Sequence, residues 1–470
     1  MQKIIPVYYS EYGRYINRFR AIPSYIDCLK PVERRILVTL HEIARNQFTK
    51  SAKIVGACIG KYHPHGDQSV YGTLVNLVQQ KFAIGKGNWG SPGLVDAEAA
   101  QYRYTEAKLN PQIEDLVFKY IDYVAWEELE LEPEPLYLPS PVPVGLIGTG
   151  VITGISFYRT LIPKYMLSDL ATRLLWLIDS NFSPNVTIKE DEELDQTSSG
   201  PKIQPHIVGC DIAEDGINQF YKLLLSGIGT IIVIPYGKIE NKVIKILGRA
   251  PNASFNSLIE NKDSLEIYLN DLSKQQIDVE IIPQKRGVNL NTLAAKIWDD
   301  YLIKKLNFNC VVCDHEGKVN TVGIDTLLYN SYHAWKYAVL QKNVADYNKL
   351  VNKKIELFVI QIIRYIFEEY KCTQVSEIVQ YFLKLTKDKK VEIEFEEYDV
   401  DSAAWKKNSK IIEEQDIIDV CNKRNIRNLI ENKIDIQKVE GDIQSAKSII
   451  NSIDNYSYKY IQELRKEQIK

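Results

Sequence analysis

Apolar residues recur at helical spacing in two short segments between residues 51 and 80. They are Ile54, Val55, Cys58 and Ile59 in the first segment, and Val70, Leu74, Leu77 and Val78 in the second. Spacings of three and four place such residues on one face of a helix. The connecting KYHPHGD contains Pro and Gly, and Asp67 is predicted to cap the second helix. The pattern predicts a helix–turn–helix, although an ordinary helical corner would show the same spacing.

A much longer helical pattern begins near Gly323 and continues for nearly fifty residues. Its apolar positions are Leu340, Val344, Tyr347, Val351, Ile355, Phe358 and Ile362, and a second seam near the end consists of Ile436, Val439, Ile443, Ala446, Ile450 and Ile453. At 1.5 Å per residue the first helix would extend roughly 70 Å. The two seams predict an antiparallel coiled coil with a small domain at its tip, although any intramolecular helical hairpin would look the same.

Between these helical regions the pattern is mixed. Residues 131–145 contain five prolines and are predicted to form an extended connector and a domain boundary, since proline cannot continue a helix. Farther along, residues 230–235 and 278–283 resemble strands, helical runs separate them, and 189–201 form a polar, acidic insertion. The fold class is therefore predicted to be α+β with several domains.

Composition excludes several classes of protein. A chain of 470 residues with 45% apolar and 25% charged residues has enough apolar surface for two to four folded domains and is not mainly disordered. No uncharged apolar stretch approaches the length of a membrane span, and the N-terminus lacks a secretion signal. Seven scattered cysteines fit reduced thiols better than a disulfide framework. We therefore expect a cytoplasmic protein.

Charge is distributed unevenly along the chain. The formal net charge is only −3, but residues 1–110 carry 15 basic against 8 acidic residues, whereas the remainder carries 43 against 53. A basic N-terminal portion indicates that any polyanion contacts the first quarter of the chain. Chance fluctuation could produce the same imbalance.

Two motifs that could bind a cofactor or metal fail on their context. Gly85–Gly90 has the G-x-G-x-x-G spacing, but Pro92 and Gly93 prevent a helix from following, and no Gly-Lys-Ser/Thr closes a phosphate loop. Cys310 and Cys313 lie near His315, but a zinc site needs four ligands and no second pair is suitably spaced. We therefore expect the two cysteines to be core or edge residues, and no metal site in this chain.

Two other motifs carry chemistry. His63-Pro-His65-Gly-Asp67 could form a metal site or an acid–base cluster. Its position beside Lys61 and before a helix N-terminus suits phosphate better, with Gln68 and Ser69 on the exposed first turn. Arg103 and Tyr104 are adjacent. A tyrosine oxygen can attack a phosphodiester, and a neighbouring arginine offers a permanent charge to the transition state. One Arg-Tyr pair means little in a chain with 29 tyrosines.

Taken together and in order, the segments resemble the cleavage (A-type) component of type IIA DNA topoisomerases. Five blocks carry the resemblance: Arg20–Arg35, Lys53–Gly56, Ile59–Asp67, Gly87–Ser91 and Ala99–Glu106. A weaker block is Gly150–Gly154 followed by Ile162-Pro163. The strong matches cover residues 18–165, and beyond them only the order of elements agrees.

The resemblance assigns roles to individual residues. Tyr104 is the expected nucleophile, which holds the 5′ end of the broken strand, and Arg103 the expected stabiliser of its charge. The residues expected to bind DNA are Arg20, Lys30, Arg34, Arg35, Lys53, Lys61, His63, His65, Gln68 and Ser69. Val151 stands where the family places an isoleucine that wedges between base pairs and bends the duplex, a role that Ile152 could also take.

Three positions depart from the family pattern. Glu33 replaces the usual His or Gln of its block, and Gln68 and Gly72 replace the usual Ser and acidic residue. Since those last two positions usually anchor quinolone drugs through a water–metal bridge, the sequence predicts weak quinolone sensitivity.

The resemblance also implies an assembly. No Toprim or ATPase signature is present, so Mg²⁺ and ATP are expected to be held by a B-type ATPase–Toprim partner. Two copies of the chain are expected to dimerise through the winged-helix and C-gate domains and to cleave double-stranded DNA as an ATP-hydrolysing type II topoisomerase. The expected cell is bacterial or phage-infected, with the protein associated with DNA. Without a C-terminal wrapping domain, relaxation or decatenation is expected rather than negative supercoiling.

The expected domains are an N-terminal arm (1–18), a winged-helix DNA-cleavage domain (19–140), an α/β tower (141–320), a coiled coil (321–372 and 434–470) and a C-gate (373–433). Two alternatives stay open. A non-catalytic winged-helix architectural protein would keep the fold without the chemistry, and a helix–turn–helix transcription regulator would bind one sequence tightly.

Overall fold

The computed structural model describes residues 4–156, 158–182, 199–372, 374–387, 389–423 and 436–467, with side chains from residue 10 onward. Most of the predicted acidic insertion, 189–201, lies outside these residues, as do parts of the expected arm, coiled coil and C-gate. The chain divides into two compact units. The first comprises residues 1–335 and 458–470, and the second comprises residues 336–457.

The N-terminal part of the first unit is built from short helices and small antiparallel sheets. Its helices are α1 (Ile4–Ile16), α2 (Pro31–Ile43), α3 (Ser51–Lys61), α4 (Asp67–Gln79) and α5 (Pro111–Val117). Its strands are β1 (Thr49–Lys50), β2 (Ala83–Lys86), β3 (Trp89–Ser91), β4 (Ala97–Ala99), β5 (Glu106–Leu109), β6 (Trp126–Glu128) and β7 (Pro133–Pro135). β1, β5 and β2 form one sheet in that order, while β3–β4 and β6–β7 are hairpins.

The predicted helix pair at residues 51–80 is confirmed as α3 and α4. Ile54 and Cys58 on α3, and Val70 and Leu74 on α4, are completely buried, so the apolar stripes face the core. The prediction that Asp67 caps α4 is wrong by one residue. Gly66 occupies the N-cap position and Asp67 is the first residue of the helix. There the negative charge of the Asp67 carboxylate interacts favourably with the positive end of the helix dipole.

The rest of the first unit contains two larger antiparallel sheets. Its elements are β8 (Val151–Ile155), β9 (Arg159–Pro163), α6 (Leu167–Asp179), β10 (Cys210–Glu214), α7 (Gln219–Ser226), β11 (Ile228–Pro235), β12 (Gly237–Glu240), β13 (Val243–Ile246), α8 (Asn256–Glu260), β14 (Ile267–Asp271), β15 (Val279–Pro283), α9 (Leu290–Ile297), β16 (Lys304–Asn309), β17 (Val311–Cys313) and β18 (Val319–Thr321). One sheet has the order β10-β11-β16-β9-β8 and the other β12-β13-β15-β14. The strands predicted at 230–235 and 278–283 are confirmed as β11 and β15.

The proline-rich segment at 131–145 forms no α-helix, as predicted, but only β7 within it is a strand, and a short 3-10 helix begins at Val144. Leu138, Val142 and Val144 are completely buried. The amide of Leu138 donates to the carboxylate of Asp27 at 3.0 Å. The segment therefore contributes to the core of the first unit.

The helix α10 (Ile324–Tyr370) is 47 residues long, which confirms the helix predicted to begin near Gly323. It begins within the first unit, and its larger part, from residue 336 onward, belongs to the second unit. The following elements are α11 (Val375–Thr386), β19 (Glu392–Asp399), β20 (Ala404–Ile411), α12 (Glu414–Lys423), α13 (Ile436–Asn451) and α14 (Ile453–Leu464). Lys354 on α10 pairs with Glu440 on α13 at 3.0 Å, and Lys336 pairs with Asp454, so the partners run antiparallel. Seam positions such as Val351 lie in the buried core.

Helices and antiparallel sheets together confirm the predicted α+β class, while the winged helix, tower, coiled coil and C-gate stay predictions. All seven cysteines are free and buried, and burial raises the pKa of the Cys310 and Cys313 thiols. The two are core residues, as predicted. Within the described ranges, no helix combines the length and hydropathy needed to cross a membrane.

Candidate active site

Arg103 and Tyr104 lie on the loop that joins β4 to β5. Tyr104 is 64% exposed, and its amide donates to the carbonyl of Gln101 at 2.8 Å, which closes a tight turn. The guanidinium carbon of Arg103 lies 4.8 Å from the centroid of the Tyr104 ring. A hydrogen bond and charge interaction with Tyr104 raise the pKa of Arg103. The loop therefore presents an accessible phenol with a permanent cation beside it.

Buried hydroxyl groups anchor both ends of this loop. The Tyr71 hydroxyl on α4 donates to the carbonyl of Ala100 at 2.5 Å and lies 3.0 Å from the hydroxyl of Thr105. Thr105 donates in turn to the Ser51 hydroxyl on α3 at 2.8 Å, and the Ser51 amide donates to the Thr105 carbonyl at 3.0 Å. Buried hydrogen bonds are costly to leave unmade. This series of hydrogen bonds therefore fixes the backbone at Ala100 and Thr105, on either side of the exposed residues Arg103 and Tyr104.

Two glycines of the Gly87–Ser91 block allow the backbone to approach this loop and the preceding strand β4 closely. Gly87 has φ +107°, and a Cβ added there would meet the Tyr104 carbonyl oxygen at 3.3 Å. Gly90 has φ +80°, and its added Cβ would lie 2.6 Å from the carbonyl oxygen of Ala97. L-residues rarely adopt such a conformation, so both positions favour glycine.

A second cluster surrounds the guanidinium of Arg35. The guanidinium donates to the Glu134 carboxylate at 2.7 Å and to the Glu130 carboxylate at 2.6 Å, and one of its nitrogens lies 2.8 Å from Nδ1 of His63. Since a guanidinium has no acceptor, Nδ1 of His63 must accept, which places the proton of the neutral ring on Nε2. Hydrogen bonds from Tyr15 and Arg35 lower the pKa of Glu130, although burial on its own would raise it.

His63 is neutral in this cluster. Burial, with the charge of Arg35 as the next cause, lowers the pKa of His63 to about 4. Its ring meets that of His65 edge to face, with centroids 4.5 Å apart. A neutral His63 can donate one hydrogen bond to a phosphate oxygen but carries no charge.

Arg34 is buried and turned toward the protein. Its guanidinium makes two hydrogen bonds with Asp27, at 2.8 and 3.0 Å. Asp27 also accepts from the amides of Leu29 and Leu138. The guanidinium groups of Arg34 and Arg35 are therefore both paired with carboxylates in this structure, and the DNA contacts expected of them stay predictions.

His63, His65 and Glu130 could offer ligand atoms to a metal, since these atoms lie within 4.8 Å of one another. Mg²⁺, however, prefers oxygen ligands in octahedral geometry, and this set has two imidazoles and one carboxylate. Arg35 also places its own positive charge against His63 and Glu130. These residues do not fit Mg²⁺.

The other predicted DNA contacts differ in accessibility. Four are exposed: Arg20, Lys53, Gln68 and Ser69. Lys61 pairs with Glu42 at 3.0 Å, a hydrogen bond that raises the pKa of Lys61. The Lys30 amide donates to the Glu33 carboxylate at 2.8 Å. Glu33, which stands where the family usually has His or Gln, therefore helps to cap the N-terminus of α2.

The β8–β9 hairpin separates the residues considered for the wedge. Side chains alternate along β8, so Val151 and Ile155 share one face, while Ile152 belongs to the other and is buried. Val151 is half-buried, whereas Ile155 is 78% exposed. Ile152 therefore faces the interior in this structure, and Ile155 is the exposed apolar side chain on the opposite face of β8, which the sequence analysis did not name. Strand alternation counted from the buried Ile152 could have identified it.

The known proteins that this chain is similar to are A subunits of DNA gyrase and topoisomerase IV. The family model for the DNA gyrase/topoisomerase IV A subunits matches residues 20–470. Over 247 residues, 36% are identical to the DNA gyrase A subunit of Clostridium acetobutylicum, an alignment that covers 49% of this chain and 28% of that protein. The DNA gyrase A subunit of Borrelia hermsii is 28% identical over 342 residues, which cover 67% and 39%. The DNA topoisomerase 4 A subunit of a Synechocystis species is 34% identical over 248 residues, covering 49% and 25%. The chain thus spans less than two fifths of these relatives' length.

Proposed function

The chain belongs to the family of DNA gyrase and topoisomerase IV A subunits, and we propose that it is the DNA-cleaving and rejoining subunit of a type IIA topoisomerase. The observation that carries this proposal is the accessible Arg103–Tyr104 pair on a loop fixed by buried hydrogen bonds. A nucleophile must reach its substrate and still be held in place.

In the proposed reaction the phenolic oxygen of Tyr104 attacks a DNA phosphorus. A phosphorus–oxygen bond to tyrosine forms and the bond to the 3′ oxygen breaks, so the phenol loses its proton and the leaving 3′ oxygen gains one. The reverse transfer reseals the strand without a further energy source, because one phosphodiester replaces another. Arg103 stabilises the negative charge that develops next to the tyrosine oxygen.

The assembly belongs to the same proposal. Two copies would place two Tyr104 residues on opposite strands, and a B-type partner would supply ATP hydrolysis and Mg²⁺, for which His63, His65 and Glu130 are an unsuitable donor set. DNA affinity would come mainly from phosphate contacts made by exposed side chains such as Arg20 and Lys53, with a strong dependence on salt.

Bending of the DNA is assigned to the β8–β9 hairpin. Ile155 is the apolar side chain that its exposed face offers to a base step, and partly unstacking that step kinks the duplex. Val151 would then support the hairpin from its half-buried position.

A denaturing gel tests the central step. The chain is combined with the B-type partner, Mg²⁺ and end-labelled DNA, and the reaction is stopped with detergent. A labelled protein–DNA adduct is expected with the wild type and not with Tyr104→Phe. The matched control is Tyr102→Phe, which lies two residues away and keeps its ring contact with Tyr71; its adduct is expected to persist. Unchanged DNA relaxation by Tyr104→Phe would instead favour the non-catalytic architectural protein. The topology of the DNA product distinguishes relaxation and decatenation from supercoiling.

A further inference from the structure

The segment between β3 and β4 is bound by the β12–β15 sheet and its adjoining loops. We name the contacts of Gly93, Leu94 and Asp96 with Arg249 and Asp271 the latch. Arg249 donates to the Asp96 carboxylate at 2.8 Å and to the Gly93 carbonyl at 3.4 Å. The amide of Leu94 donates to Asp271 at 2.8 Å. These bonds join segments that are far apart in the chain.

The far side of the latch is fixed by a hydrophobic core. Leu94 packs against the buried cluster of the β12–β15 sheet, which includes Ile246 and Phe255. The guanidinium carbon of Arg249 lies 5.6 Å from the centroid of the Phe255 ring, and Phe255 is only 1% exposed. Asp271 ends β14, within the same sheet. The latch therefore rests on a packed and rigid element.

The near side of the latch leads directly to Tyr104. β4 follows Asp96, and the residue after β4, Ala100, donates its amide to the carbonyl of Asn88 at 3.0 Å. Tyr104 comes only a few residues after Ala100. Since an extended chain covers at most about 3.6 Å per residue, the position of the β3–β4 hairpin limits where Tyr104 can lie.

We propose that Arg249 and Asp271 are positioning residues, which hold the Tyr104 loop in register with the β12–β15 sheet and so couple this sheet to DNA cleavage. The proposal rests on the function proposed above for Tyr104. Misplacing a reacting group by about 1 Å costs roughly a hundredfold in rate. Loss of the latch, which is close in sequence to the Tyr104 loop, would therefore slow the attack by the Tyr104 hydroxyl even though the latch does not touch the DNA. The hydrogen bonds from Ser273 and Leu94 also lower the pKa of Asp271, although burial on its own would raise it; Asp271 is therefore ionised at neutral pH.

Hydrogen exchange of the full chain tests the physical part of this inference. Arg249→Ala is expected to accelerate amide exchange about tenfold in a peptide covering residues 97–105, because the loop loses its distal support. Arg249→Lys, which keeps the charge next to Asp96, is expected to recover most of the protection. The matched control is Lys285→Ala, which removes an exposed ion pair with Glu266 at 2.5 Å outside the latch and should leave this peptide unchanged.

Cleavage kinetics with Mg²⁺ and the B-type partner test the catalytic part. We expect Arg249→Ala to form the tyrosyl adduct about tenfold more slowly at unchanged DNA affinity, with Arg249→Lys closer to wild type and Lys285→Ala equal to it. Equal adduct rates for Arg249→Ala and Lys285→Ala would overturn the proposal, as would faster exchange without slower cleavage. If the wild type formed no adduct at all, the function proposed for Tyr104 would fail, while the exchange result would still report on the latch.

Discussion

Replacing Ile155 by alanine separates the two residues that could bend DNA. Ile155 is 78% exposed on the β8–β9 hairpin, so its truncation removes few contacts from the folded chain. Val151 lies on the same face of β8 but is half-buried and pairs with Pro163 on β9. Ile155→Ala should therefore remove contacts with DNA and few contacts within the protein, whereas Val151→Ala should mainly remove contacts within the protein.

The magnitude follows from the apolar surface that leaves water. If Ile155 enters a base step, the three carbons removed by alanine are worth about 2 kcal/mol, at roughly 0.8 kcal/mol for each carbon buried. This is roughly a thirtyfold change in the ratio of bent to straight DNA. Val151→Ala is expected to change that ratio less than about threefold and to cost the fold about 1 kcal/mol.

Energy transfer between dyes at the two ends of a duplex of about 30 base pairs measures the bend directly. The wild-type chain and both variants are titrated at one salt concentration, since phosphate contacts depend strongly on salt. Loss of the bent state by Ile155→Ala with retention by Val151→Ala is the expected result. If Val151→Ala abolishes bending while Ile155→Ala does not, the assignment to Ile155 is refuted.

Since the pKa of His63 is lowered to about 4, the unfolded chain binds more protons than the folded chain between about pH 6.5 and 4. The free energy of unfolding should therefore fall by on the order of 3 kcal/mol as the pH is lowered through this range. Urea titrations of His63→Gln should show a free energy of unfolding that changes less with pH. Arg35→Met leaves two buried carboxylates without their cation and should destabilise the first unit by about 3–5 kcal/mol, whereas Arg18→Ala, which breaks a more exposed ion pair, should cost less than about 1 kcal/mol in the same denaturation experiment. The double variant Gln68→Ser and Gly72→Asp should raise quinolone trapping of the cleaved complex above wild type, since a Cβ at Gly72 meets open space; equal trapping by both proteins would contradict this explanation of drug sensitivity.

Local pattern was sufficient to predict much of the fold. The stripes of α3 and α4 and the long run of α10 depend on contacts that recur every three or four residues, so they are visible in the sequence. The Tyr104 loop was also found from the sequence, because its residues are consecutive in the chain. Its exposure in the structure agrees with the role expected of a nucleophile.

Other features depend on distant parts of the chain and could not be predicted. The motif that contains Arg34 and Arg35 indicated DNA contacts, but Arg35 is paired with Glu130 and Glu134, which come much later in the chain. No local pattern shows which carboxylates will meet a guanidinium after folding. The latch between Asp96 and Arg249 is hidden from the sequence for the same reason.

The consecutive residues Arg103 to Glu106 show how buried neighbours hold an exposed tyrosine in place. Arg103 and Tyr104 face solvent, whereas Thr105 is completely buried between the hydroxyls of Tyr71 and Ser51. Glu106 then returns the chain to the sheet, where Lys50 on β1 pairs with it at 2.7 Å. The exposed pair is thus a short excursion from a fixed backbone. A reacting oxygen must be both accessible and held in place. If Tyr104 is the nucleophile, Thr105 would act as a positioning residue, which fixes the backbone next to the tyrosine without touching the substrate.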